Sequence, residues 1–129
     1  QYSSATGVVR CMKKLLDENP EVECVLRGKE FVAKDVFDAA RSGDALAARE
    51  VDEMAATLGM ALANIASTTD PETFLLGGGV ARAGAVLFDP LVRHYKTYAF
   101  QSCRNTPIKA ASLGNDAGIY GAVRLIVGA

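Results

Sequence analysis

Two short apolar runs, each closed by a glycine turn that opens a helix, constrain this chain more than any other feature. The first is "TFLLGGGVARAG" (Thr73 to Gly84) and the second is "PIKAASLGNDAG" (Pro107 to Gly118). An apolar run bounded by Pro71 and three glycines reads as a short buried strand over Thr73 to Leu76. Residues 107 to 113 read as a second strand. A helix lies between them, within 83 to 100, so the two strands form a parallel pair with a right-handed crossover. Pro90 is the awkward point of that helix. Asp89-Pro90 suits a helix start, and a proline inside the helix would kink it. The final helix spans 116 to 127, with Ala117, Tyr120, Val123 and Ile126 or Val127 expected to face inward.

The residues before the first strand read as three helices. Ser3 or Ser4 can cap the first, in which Val8, Val9, Met12, Leu15 and Leu16 recur at helical spacing until Pro20. Residues 21 to 33 have no clear period and read as a connection. A short amphipathic helix follows over 34 to 42, through Val36, Phe37 and Ala40, closed by Gly43. Asp44 caps the longest helix, about 45 to 68, with an apolar stripe of Val51, Met54, Ala55, Leu58, Leu62 and Ile65. Glu50, Asp52 and Glu53 are expected on a solvated face. Two strands make a poor sheet, so further strands are expected outside this sequence.

Composition narrows the class. The chain has 129 residues, 50% of them hydrophobic and 22% charged, with a formal net charge of -1. One domain with a modest core fits that length. No cluster of Lys and Arg marks a nucleic-acid surface, and no apolar run approaches the roughly 18 to 20 residues that span a bilayer. Cys11, Cys24 and Cys103 are odd in number and lack the spacing of a metal knuckle or a redox pair. They suit a reduced, cytoplasmic protein, as buried small apolar groups or unreactive thiols. The chain opens on "QYSSATG" without a Met, as a piece of a longer protein would.

In a parallel sheet both glycine turns fall at the carboxyl ends of the strands, the edge at which open α/β sheets bind ligands. Helix N-termini there present free N–H groups that suit phosphate. "GGGVA" and "GNDAG" therefore either line one crevice or serve as tight corners with close packing. Two familiar loops are excluded. Ala85-Val86 stands where a P-loop needs Lys-Ser/Thr, and Arg82 stands where a dinucleotide fingerprint needs its third glycine. An N-cap role explains Asn115 and Asp116 equally well. His94, in "RHYK", reads as a surface residue, and Tyr95, Tyr98 and Phe100 as core or interface packing.

Four blocks taken together, "YSSATGVVR", "AKDVFDAARSGDALA", "LGMALANIASTTDPETFLLGGGVARAG" and "LGNDAGIYGAVRL", resemble the carboxyl-terminal part of ROK-family sugar kinases, and the glucokinase branch in particular. The resemblance covers nearly the whole chain. It implies a partial actin-like (ribonuclease-H-like) ATPase lobe: α/β, helix-rich, with a short parallel sheet, residues 1 to 129 forming an incomplete carboxyl-terminal lobe. It implies ATP with Mg²⁺ and a hexose as the parent protein's ligands, transfer to the 6-hydroxyl of glucose, and a homo-oligomer. Gly77, Gly78, Gly79 and Val80 would lie along the adenosine and α-phosphate side of ATP. Gly114, Asn115, Asp116 and Ala117 would form the second adenosine-side segment. The family's DxGxT segment, its catalytic aspartate and its CxCGxxGCxE zinc segment are not among these residues, so no catalytic residue and no metal ligand is assigned. A ROK transcriptional repressor, or a kinase of N-acetylmannosamine or fructose, would share this lobe.

Overall fold

The computed structural model describes residues 4–112 and 117–128. Their elements run α1 (Ala5–Glu18), α2 (Ala33–Arg41), α3 (Ala45–Thr69), β1 (Phe74–Leu76), a 3-10 turn (Gly79–Ala83), α4 (Ala85–Tyr98), β2 (Ile108–Ala110) and α5 (Ala117–Val127). The strands pair in parallel, with Phe74, Leu75 and Leu76 opposite Ile108, Lys109 and Ala110.

The helix starts are where the cap chemistry puts them. Ser4 Oγ accepts from the Gly7 N–H at 3.1 Å. Asp44 Oδ1 accepts from the Ala47 N–H at 3.0 Å, and its Oδ2 accepts from the Val25 N–H at 2.8 Å. Desolvation pulls the Asp44 carboxyl pKa upward, but these N–H donors outweigh it and the pKa is lowered. At α2 the reciprocal half of a capping box is present: Asp35 Oδ2 accepts from the Val32 N–H at 2.8 Å. Gly43 closes α2 at φ +93°, a conformation that suits glycine. The connection between α1 and α2 is made of turns rather than a strand. Arg27 anchors it by donating to the carbonyls of Leu16, Asn19 and Val22 at 3.0, 2.7 and 2.9 Å. Two of those carbonyls lie at the end of α1, where the helix leaves acceptors unfilled.

The core is one layer of packed helices leaning on the small sheet. Val8, Met12, Val36, Phe37, Val51, Met54, Leu87, Leu91 and Tyr95 are all buried. The helices α3 and α4 approach so closely at Gly59 that an added Cβ would stand 2.8 Å from the Tyr95 nitrogen. Tyr95 then joins helix to sheet. Its ring meets Phe74 edge-on at 5.9 Å, and its hydroxyl donates to the Cys103 carbonyl at 2.6 Å. The helix α4 runs through Pro90. Pro90 is its sixth residue, so it removes one N–H from the ladder without ending the helix.

Several expectations are corrected. Tyr120, Val123, Ile126 and Val127 do not face inward: they are 61%, 52%, 86% and 78% exposed. The reason is that α5 is apolar on most sides, through Ile119 and Leu125 as well, and no described element covers it. Ile65 leaves the stripe of α3 for the surface, and small residues, Ala63 and Ala66, pack there instead. Tyr98 at the end of α4 and Phe100 just beyond it are exposed, so neither is a core residue. Glu50 is buried, lying on the same face of α3 as Ala47 and Met54. His94 is only partly exposed, with its Nε2 3.0 Å from Asp52 Oδ1 across the α3–α4 contact. Arg93 also pairs with that carboxylate.

Candidate functional site

The two strands end side by side. Leu76 lies opposite Ala110, and its carbonyl accepts from the Ala111 N–H at 2.8 Å. The chain therefore leaves both strands at one sheet edge. From β1 it enters Gly77, Gly78 and Gly79, all exposed, and then Val80, half-buried. From β2 it reaches Leu113 to Asp116. The expected residues Gly114, Asn115 and Asp116 lie outside the described residues, as does the side chain of Ala117, the first residue of α5.

The three glycines are not equivalent. Gly78 has φ +81°, a left-handed conformation that disfavours any side chain. Gly77 and Gly79 have no such φ, and a Cβ on either would meet nothing within 4 Å among the described residues. Close packing among the described residues therefore does not require glycine at 77 or 79. Of the two readings of this turn, the tight corner accounts for Gly78 alone.

Beyond the glycines the backbone tightens into the 3-10 turn Gly79–Ala83, which ends at Gly84 with φ +66° before α4 begins. The buried Ala83 seats this turn against the body. Between the turn, the start of α1 and one side of α2 lies a cavity of about 510 Å³. Its apolar wall includes Ala33 and Phe37, and its other side is Gly79, Arg82 and Ala83. Lys34, Asp38 and Arg41 also line it, so three cations and one carboxylate face this space. Asp38 is shared: Lys34 Nζ donates to its Oδ2 at 2.6 Å and Arg41 Nη1 to its Oδ1 at 2.5 Å. The Lys34 hydrogen bond, helped by that of Arg41, holds the Asp38 carboxyl below its ordinary range. The same bond raises Lys34. A hollow with apolar walls and a surplus of positive charge suits a flat, partly apolar anion.

Other hollows lie elsewhere, two of which contain groups with shifted pKa values. One, of about 700 Å³, sits between residues 20–27 and the α2–α3 corner, where Cys24 has its thiol pKa raised chiefly by desolvation. The other, about 220 Å³, lies between α1 and α3 and contains Glu50. Burial, and secondarily the Glu53 charge, push the Glu50 carboxyl up to about 7. Among the described residues no three His, Cys, Asp or Glu gather as metal ligands. No helix among the described residues is long and apolar enough to cross a membrane.

Sequence reasoning missed Arg41 and Glu50. Glu50 could have been found from its place three residues after Ala47 and four before Met54, both of which are buried. Nothing in the sequence pairs Arg41 with Ala83, 42 residues away.

Nearly the whole chain is similar to known proteins of one family. Residues 1–128 match the pattern of the ROK family. The chain is 39% identical over 123 residues to a glucokinase of Halalkalibacterium halodurans, covering 92% of this chain and 37% of that protein. It superposes with TM-score 0.82 and 32% identity on a ROK family glucokinase of Streptomyces griseus solved with glucose and AMPPNP, covering 97% of this chain and 43% of that one. A ROK family transcriptional regulator, a homologue of the Escherichia coli MLC protein, shares the fold at TM-score 0.71 and 19% identity, over 83% of this chain and 27% of that one. The fold is thus that of the ROK sugar kinases, an actin-like ATPase fold, represented here by a helix-rich part with a two-stranded parallel sheet. The chain belongs to the ROK family. It spans less than half the length of the relatives it matches.

Proposed function

We propose that these residues form the carboxyl-terminal, nucleotide-side lobe of an ATP-dependent sugar kinase that phosphorylates glucose at its 6-hydroxyl. The observation that carries this reading is the glycine turn at the carboxyl end of β1. Gly77 and Gly79 are glycines that nothing among the described residues requires, on the edge where α/β sheets bind ligands. The adenosine of ATP lies against Gly77 to Val80, with the cavity toward α2 beside it. In this reading Gly114 to Ala117 are the second adenosine-side segment. The glucokinase relatives and the glucokinase solved with glucose and AMPPNP support this assignment.

The chain's own part in the reaction is binding and orientation. Backbone at Gly77 to Gly79 admits the nucleotide closely, and the cations around the cavity favour its negative charge. In this reading these residues do not supply the base that takes the hydroxyl proton, the phosphate hairpin or the sugar pocket, and Mg²⁺ neutralises the phosphates. The protein is a cytoplasmic homo-oligomer in this reading. The test is ADP release by the full-length protein with ATP and a panel of hexoses. Glucose-dependent release is expected, and none from these 129 residues alone. ADP production by the 129 residues would overturn the division of the site.

The regulator that shares the fold supports a second reading, a sugar-sensing lobe of a repressor. It predicts a full-length protein that binds sugar and an operator DNA but turns over no ATP.

A further inference from the structure

The 3-10 turn that follows the glycines lies between two left-handed residues, Gly78 at φ +81° and Gly84 at φ +66°, and has no side-chain cap. One side chain from a distant element ties it down: Arg41 Nη2 donates to the Ala83 carbonyl at 3.0 Å. Arg41 is itself aimed by Asp38, through its other nitrogen Nη1 at 2.5 Å. Lys34 holds the second oxygen of Asp38 at 2.6 Å. Lys34, Asp38 and Arg41 all belong to α2, one turn apart on one face. The planar guanidinium spans carboxylate and carbonyl at once, which an ammonium cannot do in the same geometry.

We infer that Arg41 is a positioning residue for the nucleotide turn: bridging Asp38 and the Ala83 carbonyl, it fixes the distance between α2 and Gly79–Ala83 and so sets the width of the nucleotide cavity. Arg41 also lines the cavity as one of its cations, and the role inferred here is the one it exerts through the turn. The inference rests on the reading of Gly77 to Val80 as a nucleotide-binding turn. Arg41 and Asp38 are exposed or half-buried, so exposed ion pairing here adds little to global stability. Their effect should instead appear in affinity.

The experiment uses the full-length protein and compares Arg41→Ala, Arg41→Lys and Asp38→Asn with wild type. Melting temperature, ATP affinity by calorimetry, and KM for ATP and for glucose are measured. Arg41→Ala is expected to weaken ATP binding about tenfold, equivalent to ~1.4 kcal/mol, with KM for glucose and the melting temperature nearly unchanged. Arg41→Lys is expected to recover only part of the loss, and Asp38→Asn to show a smaller loss. Should Arg41→Ala fail to fold, Arg41→Lys and Asp38→Asn decide. Unchanged ATP affinity in folded variants overturns the positioning role, as does a fall in melting temperature with no change in affinity. Wild-type protein that binds no ATP overturns the nucleotide reading itself, a result distinct from either.

Discussion

Gly77 and Gly79 accept a methyl group without a clash among the described residues, whereas Gly78 sits at a φ that resists one. Gly78→Ala should cost about 1–2 kcal/mol of stability. Gly77→Ala and Gly79→Ala should cost no more than about 0.5 kcal/mol, yet weaken ATP binding in the full-length protein. Melting curves beside nucleotide titrations separate the two effects, and a large stability loss at 77 or 79 would show that the fold does need those glycines. Glu50 makes the second prediction at this scale. Its carboxyl is raised from 4.5 to about 7 by burial and by the Glu53 charge. A raised acid is neutral in the folded state, so its stability is complete below 4.5 and lost as pH climbs through about 7. Between about pH 5.5 and about pH 8.5 the urea midpoint should fall by the equivalent of about 1–3 kcal/mol, and Glu50→Gln should flatten that slope. A midpoint independent of pH in the wild type would contradict it. Caps such as Ser4 and Asp44 were legible in the sequence because a cap is a local event. The burial of Glu50 was not, because charge argues for solvent while only a neighbouring helix decides which face is covered.

Among the elements, α3 and α4 form the contact on which the sheet is mounted. Gly59 lets them approach: a Cβ there would stand 2.8 Å from the Tyr95 backbone nitrogen. Gly59→Ala gains about 1 kcal/mol of helix propensity but forces the helices apart. A net loss of about 1–2 kcal/mol is expected, with the Tyr95 to Phe74 contact disturbed next. Denaturant unfolding of the variant tests this, and a stabilised Gly59→Ala would mean that the helices repack without cost. Helix periods and the two glycine-bounded strands located these elements to within a few residues. Periodicity names an apolar face, however, and not its partner. For α5 it pointed Tyr120 and Val123 inward, though both are exposed. Arg41, whose partner carbonyl is 42 residues away, carries no local signal at all.

At the scale of the whole molecule, the exposed side chains Leu75, Phe100, Ile119, Leu125 and Ile126 leave much apolar surface on a chain of net charge -1. Surfaces of this kind associate, and so little charge does not oppose it. The 129-residue chain should gain mass in light scattering over about a hundredfold rise in concentration, and Leu125→Glu with Ile126→Glu should reduce that gain. A constant monomer mass would contradict it. The parallel pair and the common edge at which its strands end were legible in spacing alone, but the choice between corner and ligand turn was not. The open space around Gly77 and Gly79 that supports the ligand reading exists only in three dimensions. The most direct test of the nucleotide-side assignment is an amide NMR titration of the full-length protein with ADP to about 10 mM. Shifts are predicted at Gly77 to Val80 and along Ala33 to Arg41, with the region of Glu50 between α1 and α3 unmoved. An absence of shifts at the glycine turn, or shifts centred on Glu50, would contradict the account.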